Sequence, residues 1–406
     1  MLHPLRVMHL GKYYPPAPGG IESLVRDLAV TQAAQGLDVS VHVFHHDTGI
    51  RQTSVENDNG VEVVRHSRRA GFAKLDYASD LIDQIRSTTA DIVHLHVPNP
   101  SMILALLNAP QVMKNVPIVV TYHSDVIRQR LRAALFRPLE RRLYRYVDAI
   151  CPTSPMYANG SRFLKSYRGL IRPVPMGLKL DKYLNPSDAD LQMAEQLRQQ
   201  ARGPIWLGCG RLVYYKGFQT AIEALGLTRS GGELWLIGTG PDKARLQAAA
   251  DRLGLGQRVR FLGHVPSTVP YYHAADAFWF PSNARSEAFG LAQVEAMASG
   301  CPVINTYIPD SGVSWVSQHG LTGLTVPVGD AQALAQAADQ LAGDTNFRSS
   351  LAQAARRRAR DQFEIEVMAR RHNRIYQDVL GQTLTELEPE YVEAAVSAQP
   401  AASGAA

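Results

Sequence analysis

Apolar and polar positions along this chain fall into two successive series of short strand-like runs separated by helical ones. In the first series the strand candidates are Arg6-Val7-Met8-His9-Leu10, Val39 to Phe44, Ile92 to His96 and Ile118 to Tyr122. Between the first two, Gly20 to Gln35 places Ile21, Leu24, Val25, Leu28 and Ala29 on one side of a helix. The second series runs through Pro204 to Gly208, Leu234 to Gly238, Val259 to Leu262, Ala277 to Phe280 and Pro302 to Asn305, where it closes. Phe218 to Leu225 and Lys243 to Leu253 are its helices. Strands alternating with helices imply parallel, doubly wound sheets.

The restart defines the domain organisation. Ile171-Arg172-Pro173-Val174-Pro175-Met176-Gly177 carries two prolines and a glycine and suits an interdomain turn. The expectation is an α/β protein with one doubly wound domain over 1–176 and a second over 177–362, facing across a cleft. A helix from Phe363 to Leu380, with Ile365, Met368, Ala369, Ile375 and Val379 as its apolar set, follows. Residues 382–406 are rich in Glu, Ala and Ser, lack periodicity, and read as a disordered tail.

Composition excludes several classes. At 406 residues, with 45% hydrophobic and 19% charged, the chain is an ordinary globular protein of two or three domains. Apolar runs such as Met102 to Leu107 fall far short of the roughly 20 residues a membrane span needs. The N-terminus has no secretory apolar region. Three widely spaced cysteines, Cys151, Cys209 and Cys301, offer neither a disulfide framework nor zinc spacing, so a reducing cytoplasm is the expected compartment. The net charge is only +5, yet Val126 to Ile150 holds seven arginines against Glu140 and Asp148. One basic face is expected, with Pro138 breaking the segment into two helices.

Four constellations carry candidate chemistry. In Arg285-Ser286-Glu287-Ala288-Phe289-Gly290-Leu291, a segment after a strand opens a helix near Gly290, and Glu295 lies about two turns along. Amides at a helix start bind phosphate, and a carboxylate on the helix can hold a ribose diol. A capped amphipathic helix with a surface glutamate is the plain alternative. Gly208-Cys209-Gly210-Arg211-Leu212-Val213-Tyr214-Tyr215-Lys216-Gly217 ends a strand in glycines and presents two cations suited to a leaving diphosphate. A solvated basic loop is its alternative. Gly19-Gly20 follows the first strand and allows close backbone approach to a ligand. Thr121-Tyr122-His123-Ser124-Asp125 ends a strand, where open α/β sheets place ligands, and His123 stands out by position among thirteen histidines. His94 and His96 read as packed polar residues. No Gly-x-Gly-x-x-Gly follows the first strand and no Walker A sequence occurs, which argues against a dehydrogenase or a P-loop enzyme. Asp188-Ala189-Asp190 reads as a helix start, so no metal site is expected.

Together these residues resemble the family 4 retaining glycosyltransferases of GT-B fold. The resemblance rests on Gly19-Gly20-Ile21-Glu22, Gly210-Arg211 with Lys216-Gly217, Gly238-Thr239-Gly240-Pro241 and Glu287-x7-Glu295, and covers all but the tail. A narrower likeness, carried by Thr121 to Ile127, Thr153-Ser154-Pro155, Tyr214 to Gly217 and Arg285 to Gly290, is to bacterial GDP-mannose-dependent mannosyltransferases of O-antigen and exopolysaccharide synthesis.

The resemblance implies roles. Gly19 and Gly20 would sit under the donor phosphate. Arg211 and Lys216 would neutralise the diphosphate, Glu287 would contact the transferred sugar, and Glu295 the ribose. Phe289, Gly290 and Leu291 would support sugar and phosphate through their amides. Gly263 and Val265 would pass near the base, and His123 would face the reacting sugar with Asp125 beside it. The helix from Phe363 would return to the first domain. Fixed cations would do what a metal does elsewhere, so no cofactor is expected. The acceptor would be a lipid-linked saccharide at an anionic membrane surface contacted by 126–146, making the enzyme peripheral on the inner face of the plasma membrane. A UDP-sugar transferase, a nucleotide-sugar epimerase and a phosphorylase of the same fold are the other enzymatic readings; the last would need a cofactor-lysine region that the sequence does not show. Nucleic-acid binding leaves the glutamate pair unexplained.

Overall fold

The structure is a computed structural model, and it describes residues 3–47, 49–70, 76–123 and 130–381. These divide into two compact units, 3–178 with 365–381, and 179–364.

The first unit is built on an eight-stranded sheet. Its strands are β1 (Arg6–Leu10), β2 (Asp38–Phe44), β3 (Ser54–Asp58), β4 (Val61–His66), β7 (Ile92–Val97), β8 (Ile118–Tyr122), β9 (Ala149–Pro152) and β10 (Leu170–Ile171). A separate two-stranded ribbon joins β5 (Arg69–Ala70) to β6 (Asp76–Tyr77). The spatial order is β10-β9-β8-β7-β1-β2-β4-β3, parallel throughout except for β3 against β4. The order reverses at β1, between β2 and β7, and ligands of open α/β sheets bind at such switch points. Leu10, Val93, Leu95, Ile118 and Val120 are fully buried, as strands covered on both faces require. The helix Ile365–Val379 packs beside the helix Gly20–Ala34, where Gln32 meets Asn373 and Tyr376, and it buries Met368, Ala369, His372, Ile375 and Tyr376.

The second unit carries β11 (Ile205–Cys209), β12 (Glu233–Ile237), β13 (Val259–Gly263), β14 (Ala277–Phe280), β15 (Val303–Tyr307) and β16 (Gly323–Pro327) in the order β13-β12-β11-β14-β15-β16, all parallel. Its switch point lies between β11 and β14. Trp206 and Trp279, on these two strands, stack with ring centroids 5.3 Å apart and are wholly buried. Each such side chain removes roughly 150–250 Å² from water, about 4–6 kcal/mol as an upper bound.

Two sequence expectations change and a third is met. The second series does not close at Asn305, because Gly323–Pro327 adds a further parallel strand. Pro138 does not divide the basic segment: one helix runs from Arg130 to Leu143 with the proline inside it. Leu143, fully buried, anchors its C-terminal end. Asp188-Ala189-Asp190 does start a helix, closed by a capping box in which Ser187 and Asp190 exchange hydrogen bonds.

Candidate active site

In the second unit, two loops meet over the switch point. The chain leaves β11 through Gly210, forms a short 3₁₀ turn at Tyr214–Lys216, and enters the helix Phe218–Leu227 at Gly217. Gly217 has φ 69°, and a Cβ there would lie 1.8 Å from the Pro281 carbonyl oxygen, so only glycine lets the two loops touch. Asn283 seals the contact: its backbone amide donates to the Tyr215 carbonyl at 2.8 Å and its side chain to the Tyr214 carbonyl at 3.2 Å.

This packing brings Lys216 Nζ to 2.6 Å from Glu287 Oε2. The side chains are 13% and 12% exposed. Lys216 also lies over the Phe280 ring at 4.9 Å and crosses Gly210, while Ser282 Oγ donates to Glu287 Oε2 at 3.3 Å. The Glu287 loop is tied down on its far side. Ser311 donates to the Glu287 carbonyl, the Gly312 amide to the Ala288 carbonyl, and Arg285 Nε to the Asp310 carbonyl. Arg211 stands exposed at the mouth of the β11 loop.

The helix after this loop runs from Leu291 to Ala298, with Gly290 at φ 84° as its N-cap and no side chain capping it. Buried Gln293 steadies this end, donating to the carbonyls of Phe289 at 2.6 Å and Val313 at 3.2 Å. Phe289 points into the core against Phe363, so its contribution toward a ligand is its backbone. Glu295 is the fifth residue of the helix, a little over one turn along rather than two, because the helix begins four residues after Glu287. It accepts from the Tyr272 hydroxyl at 2.9 Å. Burial raises the Glu295 carboxyl above its usual range, and the Tyr272 and Tyr183 hydroxyls partly offset this. Cys209, at the end of β11, is pushed up to about 12, first by burial and then by the charge of Glu295.

Gly263 ends β13 with φ 69° and open space where a Cβ would stand, and its carbonyl accepts from the Gly238 amide at 2.7 Å. Val265 is buried just beyond it. Gly238 and Gly240 press on the backbone of Gly210 and Leu212, within 2.1 and 2.3 Å of a notional Cβ, so three adjacent strand ends close-pack as bare backbone.

The first unit holds the remaining candidates. Gly19 caps the helix Gly20–Ala34, and the Glu22 carboxylate folds over it. His123 follows β8, its amide donating to the Val97 carbonyl at 3.0 Å. Asp125 lies outside the described residues, as do 126–129 of the basic segment. His123 is 4% exposed, and its buried Nδ1 has no hydrogen-bond partner among the described residues. Behind it stand His94 and His96, packed as the sequence suggested, together with His9 and His372, which sequence reasoning missed; all are buried, with Gln32 and Tyr376 among them. The signal was present, since His94 and His96 alternate onto one face of β7 and His9 pairs with His94 in register. Tyr272 and Tyr183, the partners of Glu295, were also missed.

Among the described residues, His9, His94 and His96 bring ligand atoms within 4.8 Å of one another, the spacing of a metal site. Each of their ring nitrogens, however, already has a hydrogen-bond partner.

Residues 19–177 match the family described as glycosyl transferase 4-like domain, and 192–358 match glycosyl transferases group 1. The D-rhamnosyltransferase WbpZ of Pseudomonas aeruginosa is 35% identical over 338 residues, which span 82% of this chain and 85% of that one. The O-antigen chain mannosyltransferase C of Escherichia coli is 28% identical over 93% of this chain and 99% of its own. In fold, sucrose-phosphate synthase of Thermosynechococcus elongatus matches with a TM-score of 0.75 and 25% identity, over 93% of this chain and all of the other. HepE of Anabaena, solved with UDP, matches in fold alone, with a TM-score of 0.72 and 21% identity over 92% of this chain and all of that one. The chain therefore belongs to the family 4 glycosyltransferases of GT-B fold and is a hexosyltransferase. Among the described residues, no helix is long and apolar enough to cross a membrane.

Proposed function

We propose that this enzyme transfers mannose from GDP-mannose, with retention at the anomeric carbon, onto a lipid-linked saccharide in bacterial cell-surface polysaccharide synthesis. The observation that carries the reading is the Lys216–Glu287 pair held over the β11/β14 switch point beside an uncapped helix start at Gly290.

Breaking the anomeric C–O bond leaves positive charge on the sugar and added negative charge on the nucleotide diphosphate. Fixed cations and helix-start amides aimed at that charge lower the barrier without reorganising. Lys216 has three donors and spends one on Glu287, so two remain for phosphate oxygens. Arg211, exposed at the same loop, adds a second cation. Glu287 accepts hydroxyl hydrogens of the transferred sugar, and Glu295 takes the ribose diol. Gly263 and Val265 flank the base. Gly19 and Gly20 pass beneath the donor phosphate, and His123 meets the sugar. Attack from the face that the diphosphate leaves, assisted by that diphosphate, accounts for retention. The two cations make a divalent metal unnecessary, so chelation leaves turnover unchanged.

Support for mannose comes from relatives named for rhamnosyl and mannosyl transfer, rhamnose being a 6-deoxymannose. The name of the E. coli relative supports O-antigen-type synthesis. The membrane-side acceptor is supported by the exposed arginines 137, 141, 142 and 145 at and just beyond the helix Arg130–Leu143. The second reading, a UDP-sugar donor, is favoured by the UDP bound in the HepE neighbour. A thermal-shift and turnover screen separates them. Stabilisation by GDP and transfer from GDP-mannose are expected; stabilisation by UDP alone overturns the donor, and no transfer from any nucleotide sugar overturns the reading.

A further inference from the structure

Five of the buried histidines of the first unit, His9, His94, His96, His123 and His372, belong to one continuous line of hydrogen bonds. It runs from the Met368 carbonyl to His372 Nδ1 at 3.1 Å, and from His372 Nε2 to Thr121 Oγ1 at 3.1 Å. Thr121 Oγ1 meets His94 Nε2 at 2.7 Å, and His94 Nδ1 meets the Tyr376 hydroxyl at 2.6 Å. Gln32 Nε2 reaches Tyr376 at 3.2 Å, and Gln32 Oε1 reaches His9 Nε2 at 2.8 Å. His9 Nδ1 meets His96 Nε2 at 3.1 Å, and His96 Nδ1 meets His123 Nε2 at 3.3 Å. The line stops at His123 Nδ1, which is buried and has no hydrogen-bond partner among the described residues.

Proton counting fixes every step. Burial pushes His9 and His123 down to about 4, His372 to about 3, and His94 and His96 well down, so each ring is neutral and carries one N–H. A carbonyl only accepts, so His372 places its hydrogen on Nδ1 and leaves a lone pair on Nε2. Thr121 must donate its single hydrogen there, so its oxygen accepts from His94 Nε2–H. His94 Nδ1 is then bare and takes the Tyr376 hydrogen. The Tyr376 oxygen must accept from Gln32, which orients that amide with its oxygen toward His9. The second Gln32 hydrogen goes to Asn373 Oδ1 at 2.8 Å, in agreement. His9 therefore donates from Nε2, His96 donates into His9, and His123 donates into His96. All the bonds point the same way, and the lone pair of His123 Nδ1 is what remains.

We propose that this directed chain holds His123 in a single tautomer, as an acceptor for one donating hydroxyl of the sugar substrate, and that Gln32, Tyr376, His96 and His372 are positioning residues for it. The inference rests on the transferase reading for the identity of the ligand, but the polarity of the chain stands apart from it. A buried acceptor left unpaired costs free energy; a hydroxyl hydrogen returns that cost to the bound state. The ligand class is thus a polyol whose contacted hydroxyl donates and does not accept.

Histidine-labelled protein tests the polarity by two-bond nitrogen–proton NMR at neutral pH. His372 should carry Nδ1–H, and His9, His94, His96 and His123 should carry Nε2–H. Hydrogen on Nδ1 of His123 overturns the proposal whether or not the enzyme is active. The hydroxyl is tested with donor sugars bearing hydrogen or fluorine in place of single hydroxyls. At one position both replacements should lower kcat/KM alike, by about tenfold, since fluorine cannot donate, and His123→Ala should lose that discrimination. A fluoro sugar used as well as the parent at every position where the deoxy sugar fails overturns the acceptor role. Gln32→Met should let His9, His96 and His123 exchange tautomers and lower kcat/KM, and Gln32→Glu, which still accepts from His9, should restore the His123 tautomer. A stability loss in Gln32→Met with the His123 tautomer unchanged would show a merely structural role. Absence of transfer from every donor, with the tautomers as stated, defeats the transferase reading and leaves the polarity supported.

Discussion

Lys216 Nζ and Glu287 Oε2 meet at 2.6 Å although the residues lie on loops that leave different strands. Their contact depends on Gly217 admitting the Pro281 carbonyl and on Asn283 bonding the facing turn. A pair this enclosed penalises removal of one member, because the other is left as an uncompensated charge. Lys216→Ala and Glu287→Ala should each lower kcat/KM by about 10²–10³, the range for losing a preorganised charge partner. The double variant should fall well short of the product of the two losses, since the residues act as a unit. Near-native turnover in either single variant removes this site from the reaction.

If Glu295 takes the ribose diol as proposed, donor affinity should depend on pH. Its carboxyl is raised by burial, so it stays protonated to higher pH than a solvent-exposed glutamate. A ribose diol donates to the ionised form. GDP affinity should therefore rise as pH increases through the raised value, beyond the ordinary carboxylate range of about 4.3. Glu295→Gln should bind more weakly and flatten the profile, and Tyr272→Phe should shift its midpoint upward by removing a donor to the carboxylate. Calorimetric titration across the acid range gives the answer; a flat wild-type profile counts against Glu295 as the diol ligand.

Gly290 and Gly263 both have positive φ, but their surroundings differ. A Cβ at Gly290 would stand 2.6 Å from the Phe280 ring, whereas at Gly263 it would meet open space. Gly263→Ala should cost backbone strain alone, about 1 kcal/mol. Gly290→Ala adds a clash with a wholly buried ring and should cost about 2–4 kcal/mol. Denaturant unfolding of the two variants should rank them in that order.

The buried histidines set an acid limit on stability. His9 and His123 are held down to about 4 and His42 and His372 to about 3, in each case chiefly by burial. Their folded values lie below the unfolded value of about 6.5, so below that pH the unfolded chain takes up protons that the folded chain refuses. The stabilisation is complete above about pH 6.5 and is lost as pH falls toward 4. Thermal midpoints should decline steadily through this window. A midpoint unchanged down to pH ~5 contradicts a neutral buried cluster.

For the basic helix, the expected outcome is sedimentation with vesicles containing anionic lipid, weakening with salt because exposed charges are screened. Replacing Arg137, Arg141, Arg142 and Arg145 together by Ala should release the protein while GDP affinity is kept. Equal binding to neutral vesicles argues against an electrostatic membrane contact.

The sequence is most legible where apolar runs have sharp ends. The strands Arg6–Leu10, Ile118–Tyr122 and Ala277–Phe280 emerge within the bounds their composition suggests. Ser54–Asp58 does not, because it is an exposed antiparallel edge strand with no apolar face to announce it. The helix through Pro138 defeats a local rule: it carries on past the exposed proline, which lacks a backbone donor, to the buried Leu143 that anchors its end. Glu287 and Lys216 are visible as candidates from loop chemistry, but not their ion pair, which needs the strand order of the second sheet. The Tyr272 and Tyr183 hydroxyls around Glu295 are invisible for the same reason: they come from chain segments 23 and 112 residues away.

The helix Ile365–Val379 has one more implication, for the order in which the protein comes into being. It supplies His372 and Tyr376 to a polar interior whose other members lie within the first 123 residues. A ribosome must therefore finish the whole second unit before the first can complete its interior. Until then the nascent N-terminal half holds an open, unsatisfied seam, and is the part that a chaperone or protease would meet.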